Sequence, residues 1–215
     1  MEKLVQYKYR LQFSKTGPLT FIGHLDFLRV FQQMIRRSGL PIAYSQGFNP
    51  HQVLSFALPL PLGMESIKDY ADITLTTEMP LGEIEAALNA HAPVGLVVKK
   101  AYVQTGKPAA AAATIGEYHV QTDMAVDVLE AKTAEILAAK ELIVSKKTKS
   151  GVKDADIRPD ILDIKLEDEV VKLILSAGSG KFLNPLLVCK IMLEEPPCNS
   201  NIARYDLFQA EMVAL

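Results

Sequence analysis

Residues 5–13 read VQYKYRLQF, and their apolar and polar side chains alternate without a break. The apolar side of this stretch consists of Val5, Tyr7, Tyr9, Leu11 and Phe13. Because successive side chains of a strand point to opposite faces of a sheet, the alternation predicts a half-buried strand. The chain is therefore expected to begin with a strand that packs one face on a core.

An apolar stripe at helical spacing follows this strand, at Leu25, Leu28, Phe31 and Ile35. Gly39 and Pro41 come next, and this pair is typical of the end of a helix. Further patterns predict a helix over 81–90 and strands over 52–58, 70–76 and 96–103. The resulting order of strand, helix, strand, strand, helix, strand is that of the split βαβ, ferredoxin-like unit.

Residues 104–115 read QTGKPAAAAATI, a composition typical of an interdomain linker. A second series of elements follows, with helices predicted over 125–140 and 184–194 and strands over 116–122, 141–146, 161–166, 170–176 and 203–213. We therefore predict an α+β fold of two tandem ferredoxin-like units with antiparallel sheets. The expected parts are an N-terminal domain at 1–104, a linker at 105–115 and a C-terminal domain at 116–215.

The charge of the chain is unevenly distributed. The formal net charge is −2, which argues against indiscriminate nucleic-acid binding, and no DNA partner is expected. Residues 1–60 carry seven basic and two acidic side chains. The rest of the chain carries sixteen basic and twenty-three acidic side chains. A basic N-terminal part on a mildly acidic body predicts one surface that faces anions.

The sequence lacks the motifs that identify several classes of protein. The two cysteines, Cys189 and Cys198, show no metal-ligand spacing, and no cofactor fingerprint or nucleophile elbow is present. The N-terminus is too polar for a secretory signal, and no apolar run reaches the length of a membrane span. We therefore expect a cytoplasmic binding or accessory protein with no metal site, no cofactor of its own and no membrane association.

Two segments are richer in polar side chains than a core requires. They are the start of the first helix and the loop at 44–51, and the candidate binding residues in and near them are Lys15, His24, Asp26, Tyr44, Ser45, Gln46, Phe48, Asn49 and His51. His24 and His51 are the candidate general acid and base, since histidine titrates near neutral pH. A structural role at a helix start and in a turn stays open for both. We expect five of these residues to converge on one surface or pocket: His24, Asp26, Ser45, Asn49 and His51.

Lys8 and Arg10 complete the set of candidate binding residues. They lie on the polar side of the first strand, and we expect both to be exposed on the sheet face opposite the helices. RNA-recognition modules use this face and stack bases on its aromatic residues. Here the tyrosines of the first strand fall on the inward face, so the aromatic platform is missing.

Several contiguous motifs carry a resemblance to a known family: FSKTG at 13–17, HLDFLR at 24–29, RRSGLP at 36–41, SQGFNPH at 45–51, SFALPLPLG at 55–63 and DIRPDI at 156–161. In these motifs the chain resembles the radical SAM-linked protein family, a domain of unknown function. That domain is fused to, or encoded beside, radical S-adenosylmethionine (SAM) proteins. The chain lacks Cys-x-x-x-Cys-x-x-Cys, so the resemblance implies that the iron–sulfur cluster and S-adenosylmethionine belong to a radical SAM partner.

Three functions are consistent with these observations. The first is an accessory protein without turnover of its own that docks on a radical SAM enzyme and presents its substrate, with RNA as one candidate substrate. The second is a stand-alone module that binds RNA or cleaves it without a metal, using His24 and His51. The third is a small-molecule-binding protein with its pocket at the 45–51 loop.

Overall fold

The computed structural model of the 215-residue chain describes residues 6–148, 151–167, 170–178, 180–193, 202–209 and 215. In the first half, the strands are β1 (Tyr7–Lys15), β2 (Leu54–Phe56), β3 (Glu65–Leu75) and β4 (Leu96–Val103). The helices are α1 (His24–Ser38) and α2 (Leu81–Asn89), and a short 3-10 helix, Gly17–Phe21, connects β1 to α1.

The second half begins with a short helix, α3 (Ala109–Ala112). Its strands are β5 (Ile115–Gln121), β6 (Ile143–Thr148), β7 (Gly151–Asp156), β8 (Ile161–Glu167), β9 (Val170–Ser176) and β10 (Ile202–Phe208). Its longer helices are α4 (Val126–Ala138) and α5 (Pro185–Met192). Each half runs strand, helix, strand, strand, helix, strand, and the β6–β7 hairpin is inserted after α4.

One sheet of eight strands joins the two halves. Its order is β4-β1-β3-β10-β5-β9-β8, and β2 pairs with β3 outside this path. The pairings within this sheet are antiparallel except that of β10 with β3, which is parallel at Ala203–Glu65 and Arg204–Ser66. The prediction of an α+β protein with mainly antiparallel strands is confirmed.

Helix α1 forms where the apolar stripe predicts it, and it packs on the predicted inner face of β1. Phe27, Phe31, Met34 and Ile35 of α1 are buried in one cluster with Tyr9, Leu11 and Phe13 of β1. The helix ends at Gly39, whose φ of 71° is a left-handed conformation that glycine adopts without steric cost. A second core lies between α4, α5 and the strands of the second half.

The segment predicted as a linker is part of the folded body. Residues 109–112 form α3, and Ala109 and Ala113 pack in a third cluster with Tyr70 of β3 and Leu207 of β10. Alanines suit this position because small side chains let a helix approach a sheet closely. The division of the chain at residues 105 and 115 stays a prediction, but the two halves share a sheet and this cluster.

Some element boundaries differ from the predicted ones. Strand β3 begins at Glu65, five residues before the predicted start, and β2 covers only three residues. Strand β7 was not predicted, because its sequence GVKDAD is polar and does not alternate; pairing with β6 specifies it instead. The predicted closing strand at 203–213 forms over Ile202–Phe208, and residues 210–214 lie outside the described part. Within the described part of the chain, no helix is long and apolar enough to cross a membrane.

Candidate functional site

A groove of about 320 Å³ lies beside β2, on the sheet face that carries Lys8 and Asp72. Residues 45–55 form one wall, and β1, β3 and the segment after β4 form the rest. The lining consists of Lys8, Ser45, His51, Gln52, Val53, Leu54, Ser55, Asp72, Ile73, Thr74, Gln104, Gly106 and Pro108. A groove of this size that combines apolar surface with several polar side chains can hold a metabolite-sized group.

Ser45 and His51 close the loop that forms one end of this groove. Ser45 Oγ lies 2.8 Å from His51 Nδ1, and the backbone N–H of His51 donates to the same oxygen at 3.1 Å. The backbone N–H of Ser45 in turn donates to the His51 carbonyl at 2.8 Å. These bonds fix the imidazole through Nδ1. Within the described residues Nε2 of His51 has no hydrogen-bond partner, so it is the nitrogen that can meet a ligand.

The same loop presents two aromatic side chains to solvent, one at its base and one at its tip. Phe48 is fully exposed, and Tyr44 is 45 % exposed beside Ser45. Gln46 and Asn49 are also exposed. Tyr44 forms an isolated bridge with Gln52, whose buried amide donates to the Gln32 carbonyl at 3.3 Å. The loop is therefore held at its base and free at its tip.

Lys8 and Arg10 occupy different environments. Lys8 is exposed, as predicted, and it lines the groove, but the prediction that Arg10 is exposed is wrong. Arg10 is 7 % exposed and pairs with Asp72, with Nε 2.8 Å from Oδ1. It also donates to the Lys107 carbonyl at 2.8 Å, and the Ala109 N–H donates to Asp72 at 2.6 Å. The segment expected to be a linker thus covers Arg10, which supports the groove without lining it.

A second, much smaller cavity of about 10 Å³ lies at the other end of β1. Lys15, His24 and Asp69 line it together with Phe27, Phe56, Leu58 and Leu60. Lys15 is 2 % exposed; its Nζ donates to the Ile22 carbonyl at 3.3 Å and lies 4.8 Å from the centre of the Phe27 ring. Burial lowers the pKa of the Lys15 amine. The ring of half-buried His24 packs edge-on against Phe56.

Asp69 of β3 pairs with Arg204 of β10, next to this cavity. Arg204 is fully buried, and it also donates to the carbonyls of Leu58 at 3.0 Å and Pro59 at 3.4 Å. These partners satisfy the charge of Arg204 and its terminal N–H groups, whereas the buried Nε has no hydrogen-bond partner among the described residues. Sequence reasoning did not find this pair, because its members lie 135 residues apart and neither belongs to a recognisable motif.

The candidate residues that line a cavity are divided between the groove and the small cavity and do not form the single surface that was expected. Ser55 lines the groove, whereas the next residue of β2, Phe56, lines the small cavity. Because successive side chains of a strand point to opposite faces, the groove and the cavity lie on opposite sides of β2. His51 belongs to the groove and His24 to the cavity. Asp26 lines neither; it pairs with Arg29 at the surface at 2.8 Å.

Arg158 and Asp160 of the DIRPDI segment both have partners in the structure. The guanidinium of Arg158 donates to the carbonyls of Ile161 at 2.8 Å and Leu137 at 2.9 Å. Asp160 pairs with Lys181 at 2.9 Å.

Among the residues that the structure describes, no three His, Cys, Asp or Glu side chains are grouped so that they could hold a metal ion.

Comparison with known proteins places the chain in a family. Residues 8–185 match a family described as uncharacterized protein conserved in bacteria, DUF2344. The match includes the groove, Lys15, His24 and Asp69, and it ends before Arg204. No curated protein matches the chain. Since the match covers most of its 215 residues, the chain belongs to DUF2344.

Proposed function

We propose that this chain is a cytoplasmic accessory protein of a radical SAM enzyme and that it holds the enzyme's substrate in the groove. The observation that carries the proposal is the groove itself, where Lys8, Ser45 and His51 offer a cation, a hydroxyl and an outward ring nitrogen. Such a set can orient a polar substrate by hydrogen bonds. Radical chemistry would be supplied by the partner's cluster and S-adenosylmethionine.

The positions of the family-like motifs support this proposal. SQGFNPH at 45–51 forms the loop at one end of the groove, and SFALPLPLG at 55–63 begins at its Ser55. FSKTG, HLDFLR and the same 55–63 segment supply walls of the small cavity. Four of the six motifs that carry the resemblance to radical SAM-linked proteins therefore contribute residues to the walls of the two cavities. Polar residues at a cavity are the ones that binding a substrate would require.

The hydrogen bonds of Ser45 favour a binding role for this residue over a nucleophilic one. Its Oγ accepts the backbone N–H of His51 and lies 2.8 Å from Nδ1 of the same residue. An activated serine needs a base that is itself oriented by a third group. Here the serine orients the histidine, so we assign Ser45 the role of positioning Nε2 of His51 toward a ligand.

RNA is the substrate class that one specific observation favours. The loop that carries the exposed rings of Tyr44 and Phe48 also contributes Ser45 and His51 to the groove, which Lys8 lines as well. Aromatic rings stack on bases, and a lysine neutralises a phosphate, so this combination suits a single-stranded segment. Metal-independent cleavage by His24 and His51 would need both at one reacting group, yet they line different cavities. We therefore propose that the chain binds RNA and does not cleave it. A small polar metabolite is the other ligand class that the groove suits.

The tandem ferredoxin-like arrangement is part of the same proposal. Strand order β4-β1-β3-β2 in the first half has its counterpart in β10-β5-β9-β8 in the second. With the inserted hairpin set aside, β5, β8, β9 and β10 correspond to β1, β2, β3 and β4. This correspondence supports two related units whose sheets join at β3 and β10.

Binding experiments with groove variants test the substrate-holding part of the proposal. The probes are a labelled single-stranded RNA of mixed sequence and a small-molecule extract, each with a mass-spectrometric or fluorescence readout. One of the two ligand classes should bind to the wild-type chain. We expect His51→Ala to weaken that binding roughly two- to tenfold, the usual effect of one lost hydrogen bond. If the ligand is RNA, Lys8→Ala should reduce the slope of log affinity against log salt by about one.

Matched controls are available on the same chain. His91 is exposed at the end of α2, and Lys99 is exposed on β4, and neither lines the groove. His91→Ala and Lys99→Ala should leave binding unchanged. Equal effects of the groove and control variants, or no retention of either ligand class by the wild-type chain, would refute the groove as the substrate site.

A further inference from the structure

Lys15 is a buried cation without a carboxylate of its own. Its side chain is 2 % exposed, and within the described residues it makes no ion pair of hydrogen-bond length. The contacts of its Nζ are a carbonyl at 3.3 Å and the face of the Phe27 ring. An ammonium group has three donors, so the described partners leave most of its hydrogen-bonding capacity unused.

The neighbouring carboxylate is already paired with another cation. Asp69 lines the cavity with Lys15, but it forms its ion pair with Arg204, which cannot lose its proton. Asp69 also accepts the backbone N–H of Tyr70 at 2.8 Å. Lys15, Arg204 and Asp69 are all less than 5 % exposed, so two cations share one buried carboxylate. Because unbalanced buried charge is costly, this cluster favours the arrival of an anion.

The size of the cavity limits what can enter. A volume of about 10 Å³ admits one water-sized group, which corresponds to a single oxygen atom. Phe27, Phe56, Leu58 and Leu60 supply apolar walls that exclude competing water, and half-buried His24 offers a ring nitrogen. We propose that this cavity is an oxyanion subsite, in which Lys15 donates to one oxygen of a carboxylate or phosphate group whose remainder lies outside. This site is distinct from the groove and does not depend on its function.

Direct titration with inorganic phosphate and with acetate, at constant pH and ionic strength, tests the subsite by calorimetry. We expect saturable binding of at least one of them, and the two titrations distinguish a phosphate from a carboxylate ligand. Lys15→Met keeps the length of the side chain and removes its charge. It should weaken this binding at least about tenfold, as the loss of a charge-assisted hydrogen bond does, while Lys99→Met should not change it.

The same variant distinguishes a ligand site from a structural role. If Lys15 serves to bind an anion, the ligand-free Lys15→Met variant should unfold at a midpoint equal to or above that of the wild type, since it removes an unbalanced buried charge. Should Lys15→Met fail to fold, His24→Ala provides the second test, with binding weakened roughly two- to tenfold. No saturable binding of either anion to the wild-type chain, or equally tight binding to these variants, would overturn the proposal.

Discussion

Replacement of Arg204 by methionine is expected to lower the free energy of unfolding by about 3–5 kcal/mol, the range found when one member of a buried ion pair is removed. Arg204 is fully buried, and its guanidinium contacts the Asp69 carboxylate and the carbonyls of Leu58 and Pro59. Methionine fills similar space but leaves Asp69 buried without its counter-charge. Since Arg204 also connects β10 to β3, the loss should be visible as a lower midpoint in urea denaturation.

Two companion variants make this result specific to the buried pair. Adding Asp69→Leu to Arg204→Met removes the orphaned carboxylate, and the double variant should recover at least about 1 kcal/mol. Arg29→Ala breaks an ion pair whose side chains are 72 % and 60 % exposed, and it should cost no more than about 1 kcal/mol. An Arg204→Met protein as stable as the wild type would show that the pair does not hold the two halves together.

Phe31→Ala is expected to cost about 3–5 kcal/mol, the usual effect of truncating a buried aromatic side chain. Phe31 of α1 is fully buried, and its ring centre lies 5.3 Å from those of Phe13 and Phe56 and 6.0 Å from that of Phe27. Alanine would leave a cavity at the contact between α1 and β1. Thermal and urea unfolding of the purified variant measure this loss.

The same substitution at an exposed phenylalanine provides the control. Phe48 is fully exposed at the tip of the 45–51 loop, so Phe48→Ala should change the free energy of unfolding by less than about 0.5 kcal/mol. The same variant should weaken RNA binding if the ring stacks on a base, by about 1–3 kcal/mol for one base. Similar stabilities of the Phe31 and Phe48 variants would contradict the core described here.

Local sequence patterns were sufficient to predict β1 and α1, which pack against each other in the first core. The alternation in residues 5–13 identified the buried face of β1, since Tyr9, Leu11 and Phe13 are all in the first core. The spacing of Phe31 and Ile35, with Gly39 after them, identified α1 and its end. These predictions succeeded because burial on one face imposes a period on the chain itself.

Features that depend on distant contacts could not be found in the same way. Arg10 has the alternation of an exposed residue, but Asp72 and the Lys107 carbonyl enclose it from other parts of the chain. The alanines of α3 resemble a linker until their contact with Tyr70 and Leu207 is known. At the candidate sites, Lys15, His24, Ser45 and His51 were chosen from motifs, whereas Asp69 and Arg204 emerged only from the parallel contact of β3 with β10.

The most direct test of the proposed function is complex formation with a radical SAM protein, the kind of partner that the resemblance implies. The two purified proteins would be mixed anaerobically at micromolar concentrations and analysed by size-exclusion chromatography with light scattering. We predict one co-eluting complex that contains the partner's iron–sulfur cluster, and the His51→Ala chain should enter it equally well because its groove defect concerns the substrate. Separate elution of the two proteins, with or without S-adenosylmethionine, would contradict the accessory function.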